Sequence, residues 1–230
     1  MKLWNRLSTP MRWFVMAFVV LLVSCWLTLE VDLDGREVTD VLEYWAHQLG
    51  HGINSVWVGI SLLMLLGAGI MASRSKDGRW KTHRTLWWVP DVILCDFIFV
   101  DALGKNTLPF PRPDSTLEHF RAGFPSGHAT FAFAIAWLVS ERFPKLAPLW
   151  FGMATAIGWS RVEVHAHYPY QVFAGAIIGA LIGYGVARYD NGVLLPHLFS
   201  RKKTPQNSSE VPPAPLEKNV PHQTTKRVLE

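Results

Sequence analysis

The chain has 230 residues, half of them apolar, with 11 Trp, 13 Phe, two Cys and a formal net charge of +4. This suits one domain with a substantial core and excludes both a disulfide-stapled scaffold and a largely disordered chain. The basic excess does not point to nucleic acid, because the Lys and Arg residues gather at the ends of apolar blocks, as they do in membrane proteins.

Those blocks are about 20 residues long, the length a helix needs to cross the hydrocarbon core at ~1.5 Å per residue. The expected spans are 12–30, 54–72, 85–103, 128–142, 148–164 and 171–189, so the fold class is all-α, an integral membrane six-helix bundle. Lys2, Arg6 and Arg12 precede the first span, and Arg74, Lys76, Arg79, Lys81 and Arg84 fill the second connection. Arg142 and Lys145 lie in the fourth, and Arg188, Arg201, Lys202 and Lys203 follow the last span. By the positive-inside rule these are cytoplasmic, as are both termini, while 31–53, 104–127 and 165–170 face the other side. The outer cations Lys105, Arg112, Arg121 and Arg161 run against that rule and call for an anionic partner.

Within the first span, Leu22-Val23-Ser24-Cys25 resembles a lipoprotein cleavage site, but the apolar run continues through Trp26 and Leu27. A retained helix is the simpler reading, with Cys25 and Cys95 packed among apolar neighbours. Beyond the polar turn 31–35, Asp40 and Glu43 form a capping-box pattern. Val41, Leu42, Tyr44, Trp45 and Leu49 then predict a short amphipathic helix lying in the outer interface. His47 and His51 share a face of it at i, i+4; with no carboxylate or thiol placed to complete a metal site, they read as solvated histidines.

The third span carries Asp91, Asp96 and Asp101, each turned ~140° from the last, so they form no stripe. Ionisable groups inside a membrane mark function or a buried partner. Asp101, beside the basic loop, is placed to orient one of its cations, and Asp96 reads as the partner of a polar group on another helix.

The next outer loop holds Lys105 and Arg112 seven apart, with Pro109, Pro111 and Pro113 stiffening the segment. An ammonium and a guanidinium converging on one point suit the oxygens of a phosphate. Phe124-Pro125-Ser126-Gly127-His128 comes next, at the start of the fourth span. A hydroxyl, a glycine that permits close approach and a helix N-terminus make an anion cradle with a histidine at its rim; the competing reading is a plain turn with Ser126 as helix cap. Ser160-Arg161 ends the fifth span, and His165, His167 and Tyr168-Pro169 fill the turn before the sixth. All three elements fall on one membrane face.

With these motifs in place the sequence resembles the type 2 phosphatidic acid phosphatases, or lipid phosphate phosphatases, which share their pocket with vanadium haloperoxidases. The family pattern is K-x6-R-P, then P-S-G-H, then S-R-x5-H-x3-D. Lys105 to Arg112-Pro113, Pro125-Ser126-Gly127-His128, and Ser160-Arg161 with His167 fit it in order and spacing, so the resemblance covers about residues 12–190. It implies that His167 attacks phosphorus to give a phosphohistidine, and that His128 protonates the leaving oxygen and later activates water. Lys105, Arg112, Arg161, Ser126 and the Gly127 backbone N–H would hold the phosphoryl oxygens, with no metal or other cofactor.

One position departs. Where the pattern has Asp, this chain has Gln171, whose carbonyl oxygen can fix the imidazole tautomer but cannot offset its positive charge. Glu163 and Asp101 are the nearby candidates to supply that charge.

The expectation is therefore a bacterial inner-membrane enzyme with its site at the periplasmic face and a lipid phosphate or pyrophosphate as substrate. Undecaprenyl pyrophosphate, phosphatidylglycerol phosphate, phosphatidic acid and a lipid A phosphate all suit it, in contact with membrane lipids and with no nucleic acid. A phosphotransferase using the same intermediate, and an inactive lipid-phosphate binder in which Gln171 marks decay, are the alternatives. Residues 1–190 form the membrane domain; 191–230, poor in large apolar residues from Thr204 on, read as a disordered cytoplasmic tail.

Overall fold

In the computed structural model six long helical segments succeed one another. Helix α1 is Thr9–Leu33; α2 (Asp40–Gln48) passes through a π-helical turn, Leu49–Ile53, into α3 (Asn54–Ser73). Helix α4 (Thr85–Asp96) continues into a π-helical stretch, Phe97–Lys105, and α5 (Gly127–Arg142), α6 (Ala147–Glu163) and α7 (Pro169–Arg188) complete the bundle. The residues described are 4–33, 40–74, 83–113 and 122–188. The expected tail at 191–230, Arg121 and the middle of the basic second connection lie outside them.

The six expected spans correspond to these six segments, but their roles differ. Thr9–Glu30, Val41–Ser73 and Pro169–Arg188 are long and apolar enough to cross a membrane on their own. Helix α5 is instead the centre of an all-α membrane bundle. Ala129, Ala132, Phe133, Ala134, Ile135, Trp137, Leu138 and Val139 are buried on every side of it, as expected of a helix apolar all round. Around it stand α7, α6, α3, α1 and α4. The outer helices turn large apolar side chains away from the core, among them Val19, Val20, Trp26 and Leu27 of α1, Leu63 and Met71 of α3 and Leu181 of α7. Both cysteines are buried as expected.

The closest helix pair is α5 and α7, and small residues on α7 make it possible. A Cβ at Gly175 would lie 2.7 Å from the Ser126 carbonyl oxygen, at Gly179 2.1 Å from that of Thr130, and at Gly183 2.6 Å from Cβ of Trp137. This is small-xxx-small packing, in which backbones approach because lipid supplies no hydrophobic drive between helices. Polar side chains tie the rest: Trp150 Nε1 donates to Ser61 Oγ (2.8 Å) between α6 and α3, and Thr28 Oγ1 donates to Glu163 Oε2 (3.0 Å) between α1 and α6.

The short helix expected in the interface is present as α2, but it runs on into α3 rather than ending. The π turn between them widens one helical turn by a residue and so rotates α3 relative to α2. Gly50 and Gly52 sit in that turn, and Gly50 is buried.

Replacing Gly179 by Val is expected to lower the unfolding midpoint in detergent, at a cost of about 1–3 kcal/mol or more for an overpacked contact. Gly152→Ala, where a new Cβ meets nothing within 4 Å, is expected to leave the midpoint unchanged.

Candidate active site

One cavity of about 510 Å³ gathers the motif residues at one end of the bundle. Its wall includes Lys105 from the π-helical stretch, Arg112 from the loop beyond it, Gly127 and His128 from the first turn of α5, Arg161 from the last turn of α6, and His167 from the α6–α7 turn. The loop reaches α5 through tight packing. A Cβ at Gly104 would lie 2.5 Å from Cδ of Pro125, so the end of the π-helical stretch rests on the Phe124–Pro125 turn. The two arms of the loop pair at Pro111 and Ala122, where Arg112 Nε donates to the Ala122 carbonyl at 3.4 Å.

His167 is held from several directions. Its backbone N–H donates to the Arg161 carbonyl (3.0 Å), closing a turn in which His165 takes the left-handed conformation at φ 54°. Its Nδ1 lies 3.1 Å from Gln171 Oε1. Gln171 is fully buried and engages both ends of its amide. Nε2 donates to the Pro111 carbonyl (2.8 Å) and contacts the Tyr170 hydroxyl (3.2 Å), while Oε1 accepts from the Tyr168 N–H (3.3 Å).

These partners decide the protonation. A backbone carbonyl only accepts, so Nε2 must face Pro111; Oε1 must then face His167, which has to donate from Nδ1. The lone pair of the neutral ring is therefore on Nε2. Burial, reinforced by the guanidinium groups of Arg112 and Arg161, outweighs the hydrogen bonds with Gln171 and the Gly123 backbone and pushes the imidazole down to about 4.

Arg161 is buried, with its Nε 3.3 Å from Ser160 Oγ and a guanidinium nitrogen donating to the Ala46 carbonyl at 3.4 Å. That guanidinium fills the space a side chain at Gly50 would need, since a Cβ there would fall 1.1 Å from one of its nitrogens. The π turn after α2 is thus the seat of a motif arginine. Ser126 begins α5, yet its side chain makes no capping bond, and its buried hydroxyl has no hydrogen-bond partner among the described residues. The capping alternative for Ser126 is therefore not what the structure has.

The carboxylates are engaged otherwise than as partners of His167. Asp101 pairs with Lys105, the cation-orienting role its position suggested, and Glu163 accepts from Thr28. Asp96 does not find the partner expected on another helix: it lines the cavity, and its Oδ1 has no hydrogen-bond partner among the described residues. No three His, Cys, Asp or Glu side chains among the described residues converge as metal ligands.

Sequence reasoning missed four contributors. Gly50 and the Ala46 carbonyl seat Arg161, and His47 and His51, though exposed as expected, stand at the cavity wall. Gly123 is a further omission, since a Cβ there would come within 2.7 Å of Gln171 Oε1 and 2.8 Å of Cγ of Arg112. The paired glycines in the Leu49–Ile53 stretch were the available signal.

This geometry makes two outcomes testable. Gly50→Ala is expected to displace the Arg161 guanidinium and weaken binding of inorganic phosphate on the order of tenfold, read by calorimetry; unaltered affinity would separate Gly50 from the site. Because the His167 pKa is lowered in the folded state, its contribution to stability is full above the unfolded value of ~6.5 and is lost as pH falls toward 4. Its modification by diethyl pyrocarbonate should accordingly stay level from about pH 7.5 to 5. A midpoint near the ordinary value would contradict the burial argument, and Gln171→Glu should move the midpoint upward.

Residues 86–193 match the family model of the PAP2 superfamily. The chain is 35% identical over 96 residues to the bacitracin transport permease protein BcrC of Bacillus licheniformis, covering 37% of this chain and 47% of that protein. It is 24% identical over 199 residues to a lipid A 1-phosphatase of Rhizobium johnstonii, covering 77% and 82%. With the putative undecaprenyl-diphosphatase YbjG of Escherichia coli it shares 32% over 102 residues, 41% and 44%. Against the permease and YbjG, the match spans less than half of the relative's length. No solved structure matches. The segment that is similar to the PAP2 superfamily, residues 86–193, holds Lys105, Arg112, Ser126, His128, Arg161, His167 and Gln171 alike.

Proposed function

We propose that the protein is a lipid phosphatase of the inner membrane of a bacterium, hydrolysing a lipid phosphate or isoprenoid diphosphate at the periplasmic face through a phosphohistidine. The observation that carries this reading is the tautomer of His167, fixed by Nδ1 on Gln171, in a cavity that also holds three cations and a second histidine. A neutral imidazole so held is a nucleophile that needs no general base of its own.

The substrate phosphoryl group is held by Lys105, Arg112 and Arg161, with the Ser126 hydroxyl and the Gly127 N–H as neutral donors. Nε2 of His167 forms a bond to phosphorus as the phosphorus–oxygen bond to the lipid breaks. His128 gives its proton to the departing oxygen, then takes one from water as the new oxygen–phosphorus bond forms and the nitrogen–phosphorus bond breaks. Charge on the phosphoryl oxygens grows in the transition state against cations already in place, which is the larger part of phosphoryl-transfer catalysis.

The outer placement of the site rests on the distribution of Lys and Arg along the sequence. The relatives named phosphatases and diphosphatases agree with the reaction class. A phosphotransferase would form the same phosphohistidine and hand it to a lipid acceptor in place of water.

Purified protein is expected to release phosphate from at least one member of a panel of lipid phosphates and diphosphates. His167→Ala should lower the rate by roughly 10³-fold or more, as for other covalent nucleophiles. Gln171→Ala should lower it by about 10²-fold or more by releasing the tautomer. A wild-type protein that binds lipid phosphates but releases nothing from any of them is a binder. Full activity in His167→Ala would remove the nucleophile from this residue.

A further inference from the structure

His51 lies outside the segment matched by the family and outside the three motifs, yet its ring centroid is 6.2 Å from that of His128, edge to face. His47 continues the row, 4.7 Å from His51. Both line the cavity that holds the motif cations, and both are exposed at it. His128 lies within electrostatic reach of both His167 and His51, and all three line the one cavity.

We propose that His51, supported by His47, is a specificity-determining residue that binds the second phosphate of a lipid diphosphate, the one that leaves with the lipid. This rests on the phosphatase reading of the site. In-line displacement puts the leaving oxygen opposite His167 and against His128. The group attached to that oxygen then lies beside His128, and His51 is the neighbouring ring on the cavity wall, 6.2 Å away. If the substrate is a monophosphate, the leaving group is an alcohol, and an imidazole pair has no anion to meet. If it is a diphosphate, the leaving group is a lipid monophosphate whose oxygens accept an N–H bond from His51.

The setting favours an anion at this place. The π turn that carries His51 also seats Arg161, whose guanidinium rests against Gly50, so a cation stands directly behind the histidine row. Two carboxylates share the cavity wall with the motif cations: Asp101 is paired with Lys105, and Asp96 belongs to α4, not to the segment that carries His51.

The test compares farnesyl diphosphate with farnesyl phosphate as substrates of wild type, His51→Ala and His51→Asn, together with binding of inorganic pyrophosphate and inorganic phosphate by calorimetry. The expected result is that wild type prefers the diphosphate, and that both variants lower the diphosphate-to-monophosphate ratio of kcat/KM on the order of tenfold, about the effect of losing one hydrogen bond to a charged group. The preference for pyrophosphate over phosphate in binding should shrink in parallel. An unchanged ratio in both assays overturns the proposal. If wild type turns over neither lipid, the phosphatase reading fails, and the binding preference alone then decides the subsite: tighter pyrophosphate binding that depends on His51 upholds it, and equal binding refutes it. Retained phosphate affinity in the variants certifies that they are folded.

Discussion

Gln171 occupies the point where three parts of the chain meet, and its amide satisfies all of them. On one side it faces a backbone carbonyl, Pro111, which needs a donor; on the other it faces the Tyr168 N–H and His167 Nδ1, which need an acceptor. A carboxylate would put lone pairs against the Pro111 oxygen. The same residue holds α5 through its own backbone, since the Ser126 N–H donates to the Gln171 carbonyl at 3.0 Å. His167, the loop and the start of α5 are thereby referred to one fully enclosed side chain, and an unpaired polar atom there would be costly.

That arrangement depends on close packing elsewhere. Gly175 and Gly179 let α7 approach α5 until Gln171 reaches Ser126, and Gly123 lets the loop lie against the amide. Aromatic rings close the loop from outside, with Phe110 5.6 Å from Phe124 and 6.3 Å from Tyr170 between ring centroids. On the opposite wall, Gly50 admits Arg161. The site is thus built where glycines bring backbones and charged side chains closer than any Cβ would permit.

This explains what the sequence made legible. Six apolar blocks and the spacing of Lys105, Arg112, Gly127, His128, Arg161 and His167 are local patterns, and they point to the bundle and to one shared cavity. The centrality of α5 was less visible, because its composition resembles that of the lipid-facing helices and only packing distinguishes them. His47 and His51 read as solvent-facing from their helix alone. A π turn, which sequence periodicity does not announce, brings their segment against Arg161. Gln171 looked like a missing charge because the family pattern supplies an acid there, and the Pro111 carbonyl that requires an amide is 60 residues away.

The absent carboxylate also bears on the phosphohistidine proposed for the reaction. A phosphohistidine beside an anion is stabilised by it, which makes the nitrogen–phosphorus bond easier to form and harder to break. Beside a neutral amide, with Arg112 and Arg161 already disfavouring positive charge on His167, the ring is a better leaving group once phosphorylated. The cost falls on the first displacement, where the ring becomes positive. There the phosphoryl oxygens, held by the same guanidinium groups, supply the nearest negative charge. A lipid diphosphate lightens that first step, because its leaving group is a phosphate and departs more readily than an alcohol. The neutral glutamine and the histidine row beside His128 therefore fit the same kind of substrate, one whose leaving group does not need a strongly stabilised intermediate to depart.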